Sequence, residues 1–377
     1  MTPEKFLDIL TDLGSDFYTG VPDSLLNPFI NAVVSKYGLE NRHIIAPNEG
    51  AAAGLAAGHY LATGRPAVVY MQNSGLGNAL NPICSLLHKD VFAIPVIFII
   101  GWRGEPGIKD EPQHVFQGKI TLPLLDCLEI PYCVAGEDDL ILAAEKFKEY
   151  IKKEQSVAFV IRKNTFVSNE KTSDEKINQT LKYPLSREEA LEIILKNSCG
   201  VYVCTTGKLS REVYEIRKKQ GENHQTDFLT VGSMGHNIMI AWGIASEKPE
   251  KRVFCLDGDG SALMHLGSLV TVGNNAPDNL VHVVINNSVH ESVGGLPVSA
   301  PKLNLSEVAR ISGYKTVFCV SNKEELIHAL KSGADNSLFI EIMCNLNSRP
   351  DLGRPFQSPT QNKNNFMSFL KREKFSQ

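Results

Sequence analysis

The stretch Leu256-Asp257-Gly258-Asp259-Gly260-Ser261 ends a β-branched and apolar run at 253–256, and Asn286-Asn287 ends a second such run at 280–285. Gly260 and Asn286 are separated by 25 residues. In a parallel α/β sheet the carboxyl ends of neighbouring strands lie side by side and form the ligand crevice, which places Asp259 and Asn287 to grip one hard cation. Gly258 and Gly260 let the backbone approach an anion closely, and a helix starting near Ser261 would turn its free amides toward a phosphate. The combination reads as a Mg²⁺-diphosphate site. An Asp-Gly pair alone also signals a hairpin turn, and the second pair of oxygen ligands, one β-α-β unit later, separates the two readings. A calcium loop starting at Asp257 fails, because its sixth position is Ala262 and its twelfth is Ser268.

Working outward, the 377-residue chain is long enough for two domains with full cores, and its 43% hydrophobic and 21% charged residues describe a globular protein. A net charge of -4 with no long basic stripe argues against nucleic acid or a membrane surface and for a small-molecule partner. Met1-Thr2-Pro3-Glu4-Lys5-Phe6 reads as a capped helix start and lacks the layout of a secretion signal, so a cytoplasmic location is expected. The apolar run 91–102 contains Pro95 and is too short for a bilayer, which predicts a buried strand. The eight cysteines form no C-x-x-C pair and are expected to be reduced core residues.

Strand and helix patterns alternate without hairpins, which predicts α/β architecture with doubly wound parallel sheets. A first domain is expected over 1–165. Its Gly/Ala-rich helix opens at Asn48-Glu49-Gly50, where the dipole favours a carboxylate at the first turn. Residues 72–81 approach G-x-G-x-x-G, but the third glycine is Leu80 and no acid follows the next strand, so a dinucleotide site is poorly supported. The long polar loop 101–114 follows a core strand and carries Arg103, Lys109 and His114. Residues 166–185 lose apolar periodicity and read as a linker. A second domain, 186–345, opens with the capping box Ser186-Arg187-Glu188-Glu189 and offers further strand ends at Thr205-Thr206-Gly207 and Gly232-Ser233-Met234-Gly235. A helix is predicted over 262–273, and 346–377 is expected to be a lid or a disordered end.

Two such domains, an acid heading a Gly/Ala helix in the first and G-D-G-x25-N-N in the second, resemble the thiamine diphosphate-dependent decarboxylase family over nearly the whole chain. The absence of a middle domain departs from most of its decarboxylases and is similar to the compact phosphonopyruvate and sulfopyruvate decarboxylases. Gly20-Val21-Pro22-Asp23-Ser24-Leu25-Leu26, Gly101-Trp102-Arg103-Gly104-Glu105-Pro106-Gly107, Asp110-Glu111-Pro112-Gln113-His114 and Arg349-Pro350-Asp351-Leu352-Gly353-Arg354-Pro355 carry the likeness to the phosphonopyruvate branch.

The resemblance implies a pyrimidine-binding first domain and a diphosphate-binding second domain of the thiamine diphosphate-binding fold. It further implies Mg²⁺ held by Asp259, the Asn287 side chain and the Val289 carbonyl, with Thr205, Thr206, Gly258, Gly260 and Ser261 around the diphosphate. Glu49 would hydrogen-bond the aminopyrimidine, Met234 would hold the cofactor bent, and the Gly232 carbonyl would accept from its amino group. Cofactor sites would form between subunits of a homo-oligomer. The implied reaction is decarboxylation of a 2-oxo acid bearing a phosphonate, in phosphonate biosynthesis. The sulfonate analogue, a carboligase or a non-catalytic subunit are the alternatives. A proton must reach the carbon that loses CO₂, for which His114, His290 and Asp23 are candidates. The substrate's tetrahedral anion calls for Arg103, Lys109 or a tail arginine, with Ser24 as a further substrate-binding group.

Overall fold

The computed structural model describes residues 1–136, 139–166, 183–293, 295–332, 336–349 and 351–372. Most of the expected linker therefore lies outside the described residues. One compact unit comprises the described residues up to 174 together with 290–299, and the other comprises those of 175–289 and from 300 onward. The segment 290–299, expected with the second domain, thus belongs to the first, where Leu296 joins the apolar core.

The first unit has strands β1 (Tyr18–Gly20), β2 (His43–Ile45), β3 (Ala67–Gln72), β4 (Val96–Gly101), β5 (Tyr132–Ala135) and β6 (Val157–Ile161). They form one parallel sheet in the order β2-β1-β3-β4-β6-β5. Helices α1 (Pro3–Asp12), α2 (Asn27–Tyr37), α3 (Glu49–Thr63), α4 (Leu76–Pro82), α5 (Pro112–Cys127) and α6 (Leu140–Lys152) connect them. Side chains alternate across a strand, so Ile97 and Ile99 of β4 enter one core cluster while Phe98 and Ile100 enter the other. Both faces are covered, which is why β4 is an unbroken apolar run. The strand is shorter than the 91–102 run, since Val91 and Phe92 are exposed in the turn before Pro95.

The second unit has β7 (Val201–Cys204), β8 (Asp227–Leu229), β9 (Val253–Gly258), β10 (Leu280–Asn286), β13 (Thr316–Val320) and β14 (Leu338–Met343), while the short pair β11 (Val289–His290) and β12 (Leu296–Pro297) lies, from His290 on, in the first unit's segment. The main sheet is again parallel, in the order β13-β14-β10-β9-β7-β8. Its helices are α7 (Arg187–Asn197), α8 (Lys208–Lys219), α9 (Asn237–Glu247), α10 (Asp259–Met264), α11 (Leu266–Asn275), α12 (Leu305–Ile311), α13 (Lys323–Ser332) and α14 (Pro359–Leu370). The helix expected over 262–273 begins earlier, at Asp259, and breaks at His265, whose φ of -133° and ψ of 55° are not helical. Four of the eight cysteines, Cys84, Cys127, Cys199 and Cys319, are exposed rather than in the core; all eight are free.

The described tail residues are ordered on the second unit. Arg349 pairs with Glu188, and Arg211 donates to the carbonyls of Leu352 and Gly353. Ser358 and Gln361 cap α14 reciprocally. Buried Asn362 then clasps the edge strand, accepting from Leu229 N–H at 2.9 Å and donating to the Asp227 carbonyl at 2.8 Å. Replacing Asn362 with Ala leaves two buried backbone groups unpaired, and a loss of about 2–4 kcal/mol is expected. Urea unfolding of the two proteins measures it; an unchanged midpoint would show the clasp to be energetically idle.

Candidate functional site

In the first unit the chemistry collects where β1, β3 and β4 end. Asp23, wholly buried, caps the 3₁₀ turn Ser24–Leu26 by accepting from Leu25 N–H at 3.0 Å, and Gln72 at the end of β3 donates to its other oxygen at 2.7 Å. Burial raises the Asp23 carboxyl against the lowering influence of Gln72 and Arg103. The site needs the small residue at 101, because a Cβ there would stand 2.4 Å from Asp23 Oδ2.

Arg103 was expected as a cation for substrate, but its guanidinium is already engaged. It binds Asp110 through Nε at 2.8 Å and Nη2 at 2.6 Å, and reaches Ser24 Oγ through Nη1 at 3.0 Å. Asp110 also accepts from Gly104 N–H and Glu111 N–H, each at 2.8 Å, and lies 2.9 Å from His114 Nδ1. Burial works to raise this carboxyl, but the bonds from Arg103, His114 and the two backbone groups outweigh it and hold Asp110 well below the usual carboxylate range. Asp110 therefore fixes the 101–110 loop, the Ser24 hydroxyl through Arg103, and the His114 ring at the start of α5. Lys109 is exposed and has no hydrogen bond or ion pair to another described residue. His290 belongs to the same unit, and burial lowers its imidazole to about 4.

Glu49 is the first residue of α3, after the Asn48 cap that accepts from Ala51 N–H at 2.9 Å. It is buried, Asn78 donates to its Oε2 at 2.8 Å, and burial raises its carboxyl. Gly75 makes room for it: a Cβ at that position would meet Glu49 Oε1 at 2.5 Å.

In the second unit four strand ends converge. Thr205 Oγ1 and Ser261 Oγ share a hydrogen bond of 3.1 Å, Ser261 Oγ accepts from Gly235 N–H at 3.0 Å, and Thr206 Oγ1 accepts from Gly232 N–H at 3.0 Å. Gly232, Ser233 and Gly235 all have positive φ, a tight left-handed turn that carries half-buried Met234. Asn237 locks the strands beneath by donating to the carbonyls of Val203 at 2.9 Å and Leu256 at 3.1 Å. Asp259 Oδ1 accepts from Gly260 N–H at 2.7 Å, and Oδ2 from Ser288 N–H at 2.6 Å. Asn287 Oδ1 accepts from the N–H of buried Val289 at 3.2 Å. The structure thus brings Asp259 and the 286–289 loop together. Asn286 instead donates to Glu341 on β14 at 2.8 Å.

These residues fit a cation and an anion. Burial pushes the Asp259 carboxyl up to about 7 against its backbone hydrogen bonds and the charge of Arg187. A Cβ on Gly258 would meet nothing within 4 Å, so the floor beside Asp259 is open.

Residues 2–124 match the family described as thiamine pyrophosphate enzyme, N-terminal TPP binding domain, and residues 205–342 match its C-terminal TPP binding domain. The chain belongs to the thiamine pyrophosphate enzymes. Thiamine pyrophosphate, another name for thiamine diphosphate, is accordingly its cofactor. Over its length this thiamine pyrophosphate enzyme is 35% identical to phosphonopyruvate decarboxylase of Streptomyces viridochromogenes, covering 96% of this chain and 93% of the relative. It is 34% identical to the protein of the same name from Streptomyces hygroscopicus, covering 96% and 92%. Sulfopyruvate decarboxylase of Methanosarcina acetivorans is 24% identical, covering 87% of each chain.

Gln72, Asn78 and Asp110 were not among the site residues expected from the sequence. Asp110 left a trace, an acid four residues before His114 across a helix start. Gln72 and Asn78 left none, since their partners are 49 and 29 residues away. Gly75→Ala is expected to dislodge Glu49 and lower the rate at saturating thiamine pyrophosphate by about a hundredfold, the scale of a misplaced reacting group. Initial rates of the two proteins check this; an unaltered rate would mean that Glu49 moves without consequence.

Proposed function

We propose that this enzyme decarboxylates 3-phosphonopyruvate to 2-phosphonoacetaldehyde, with Mg²⁺ beside thiamine pyrophosphate. The observation that carries the substrate is the near-full-length similarity to two phosphonopyruvate decarboxylases, at 35% and 34% identity against 24% for the sulfopyruvate enzyme.

Asp259, the Asn287 side chain and the Val289 carbonyl would hold Mg²⁺, and Thr205, Thr206, Gly258, Gly260 and Ser261 would cradle the diphosphate. Glu49 would bond the aminopyrimidine, with the Gly232 carbonyl opposite and Met234 as the apolar wedge. The complete site would draw Glu49 and Asp259 from different copies of the chain in a homo-oligomer. When bound, the cofactor supplies the nucleophile and the electron sink for loss of CO₂.

The chain's own residues must then orient the substrate and deliver one proton to the carbon that loses CO₂. Burial favours the protonated form of Asp23, and Asp110 orients the His114 ring, so these two are assigned to proton delivery. Burial holds the His290 imidazole near 4, which makes it a weaker candidate for the proton donor than His114 or Asp23. With Arg103 tied to Asp110, Lys109 supplies the uncommitted charge for the phosphonate, and Ser24, steered by Arg103, a hydroxyl.

CO₂ release from phosphonopyruvate and sulfopyruvate, measured side by side, tests the substrate: a larger kcat/KM for phosphonopyruvate is expected, and a larger value for sulfopyruvate overturns the assignment. The metal reading has its own pH signature. Because the folded Asp259 carboxyl lies near 7, above its unfolded value, it favours the metal-free folded state at low pH, and that contribution is lost as pH rises through 7. Mg²⁺ with cofactor is therefore expected to raise the melting temperature more at pH 8 than at pH 6, and Asp259→Asn to abolish the difference. Equal shifts at both pH values in the unmodified protein would remove Asp259 from the metal site.

A further inference from the structure

Directly beneath the turn that carries Asp259 lies a group of side chains with no part in the reaction as described. Cys255 and Asp257 share one face of β9, two residues apart, and His282 stands opposite Cys255 in the register of β10. All three are closed to solvent, and their donor atoms lie within 4.8 Å of one another. His282 Nδ1 is 3.1 Å from the Tyr314 hydroxyl, and its Nε2 faces Asp257 Oδ2 across 3.8 Å. The other Asp257 oxygen accepts from Gly258 N–H at 3.0 Å.

The protonation pattern follows from these partners. Burial holds the Tyr314 hydroxyl well above its ordinary value, so it remains a donor. Where that hydroxyl donates to His282 Nδ1, the ring carries its hydrogen on Nε2, which faces Asp257. Yet Asp257 Oδ2 and His282 Nε2 have no hydrogen-bond partner among the described residues. A separation of 3.8 Å is too long for a bond, and wholly buried polar atoms are seldom left unpaired. A shift of about 0.6–1 Å would close the gap. Tyr314 holds His282 from the other side, and Asp257 and Gly258 are the last two residues of β9, directly before Asp259.

We infer that Tyr314, His282 and Asp257 form a positioning chain that sets the Gly258–Asp259 turn from within the sheet. None of the three touches substrate or cofactor; they act through the Gly258 amide on Asp259. The inference rests on the reading of Asp259 as the Mg²⁺ ligand. Outer partners of this kind typically alter metal affinity by about 10–100-fold.

The test uses the full-length protein and its His282→Phe, Tyr314→Phe and His282→Gln variants. Mg²⁺ is titrated calorimetrically in the presence of thiamine pyrophosphate, and kcat is read at saturating Mg²⁺ and cofactor. His282→Phe and Tyr314→Phe are expected to weaken Mg²⁺ by about tenfold or more, with kcat at saturation retained. His282→Gln, which restores an N–H toward Asp257, is expected to recover most of the affinity. A merely structural role would lower the melting temperature without this separation of affinity from kcat and without rescue by Gln. Should His282→Phe fail to fold, Tyr314→Phe, which removes a single hydroxyl, carries the comparison. Unmodified Mg²⁺ affinity in both variants overturns the chain. So does one equivalent of zinc in the purified protein that is lost on His282→Phe, since Cys255, Asp257 and His282 would then be ligands of a second metal. If the unmodified protein binds thiamine pyrophosphate without Mg²⁺, the reading of Asp259 fails first, and the inference falls with it.

Discussion

Asp259 sits at the mouth of an all-parallel sheet, shut away from solvent, with backbone N–H groups from its own turn and from the β10 loop directed at its oxygens. Those amides do not compensate the loss of water, and the carboxyl is pushed up to about 7. Much of the second unit serves to hold this arrangement. The crossover from β9 to β10 sets the two strand ends side by side, Asn237 ties β7 to β9 below, and Asn286 anchors the next turn to Glu341. The fold keeps an acid where burial disfavours its charge.

The first unit solves a related problem differently. Asp23 and Glu49 are also raised by burial, but each receives an amide, from Gln72 and Asn78, rather than a positive charge at bonding distance. The positive charge that is present, Arg103, is matched by Asp110 in a bidentate pair. Asp23 thus keeps a proton-holding tendency within reach of a guanidinium, because that guanidinium is already balanced.

The parts legible in the sequence were those whose chemistry is local. A G-D-G turn, a helix-start acid and strand-end hydroxyls each announce themselves within a few residues, and alternating strand and helix patterns led to the parallel sheets found in both units. What escaped depends on distant partners or on interruptions that periodicity smooths over. Arg103 looked like a free cation because Asp110 folds back on it only in three dimensions. His265 continues an apolar helical pattern, so the break between α10 and α11 left no mark. Residues 290–299 follow β10 in the chain but pack by shape into the other unit's core. The four exposed cysteines have apolar residues close by in the chain, where hydropathy resembles that of a core.

The tail clasp bears on a different matter from catalysis. β8 is the edge of its sheet, and an open edge offers its amides and carbonyls to any extended chain that passes. Asn362 occupies an N–H and a C=O of that edge with one side-chain amide, which copies the hydrogen bonds of a neighbouring strand without supplying a strand to propagate from. α14 therefore closes those two positions of the edge to pairing by another strand.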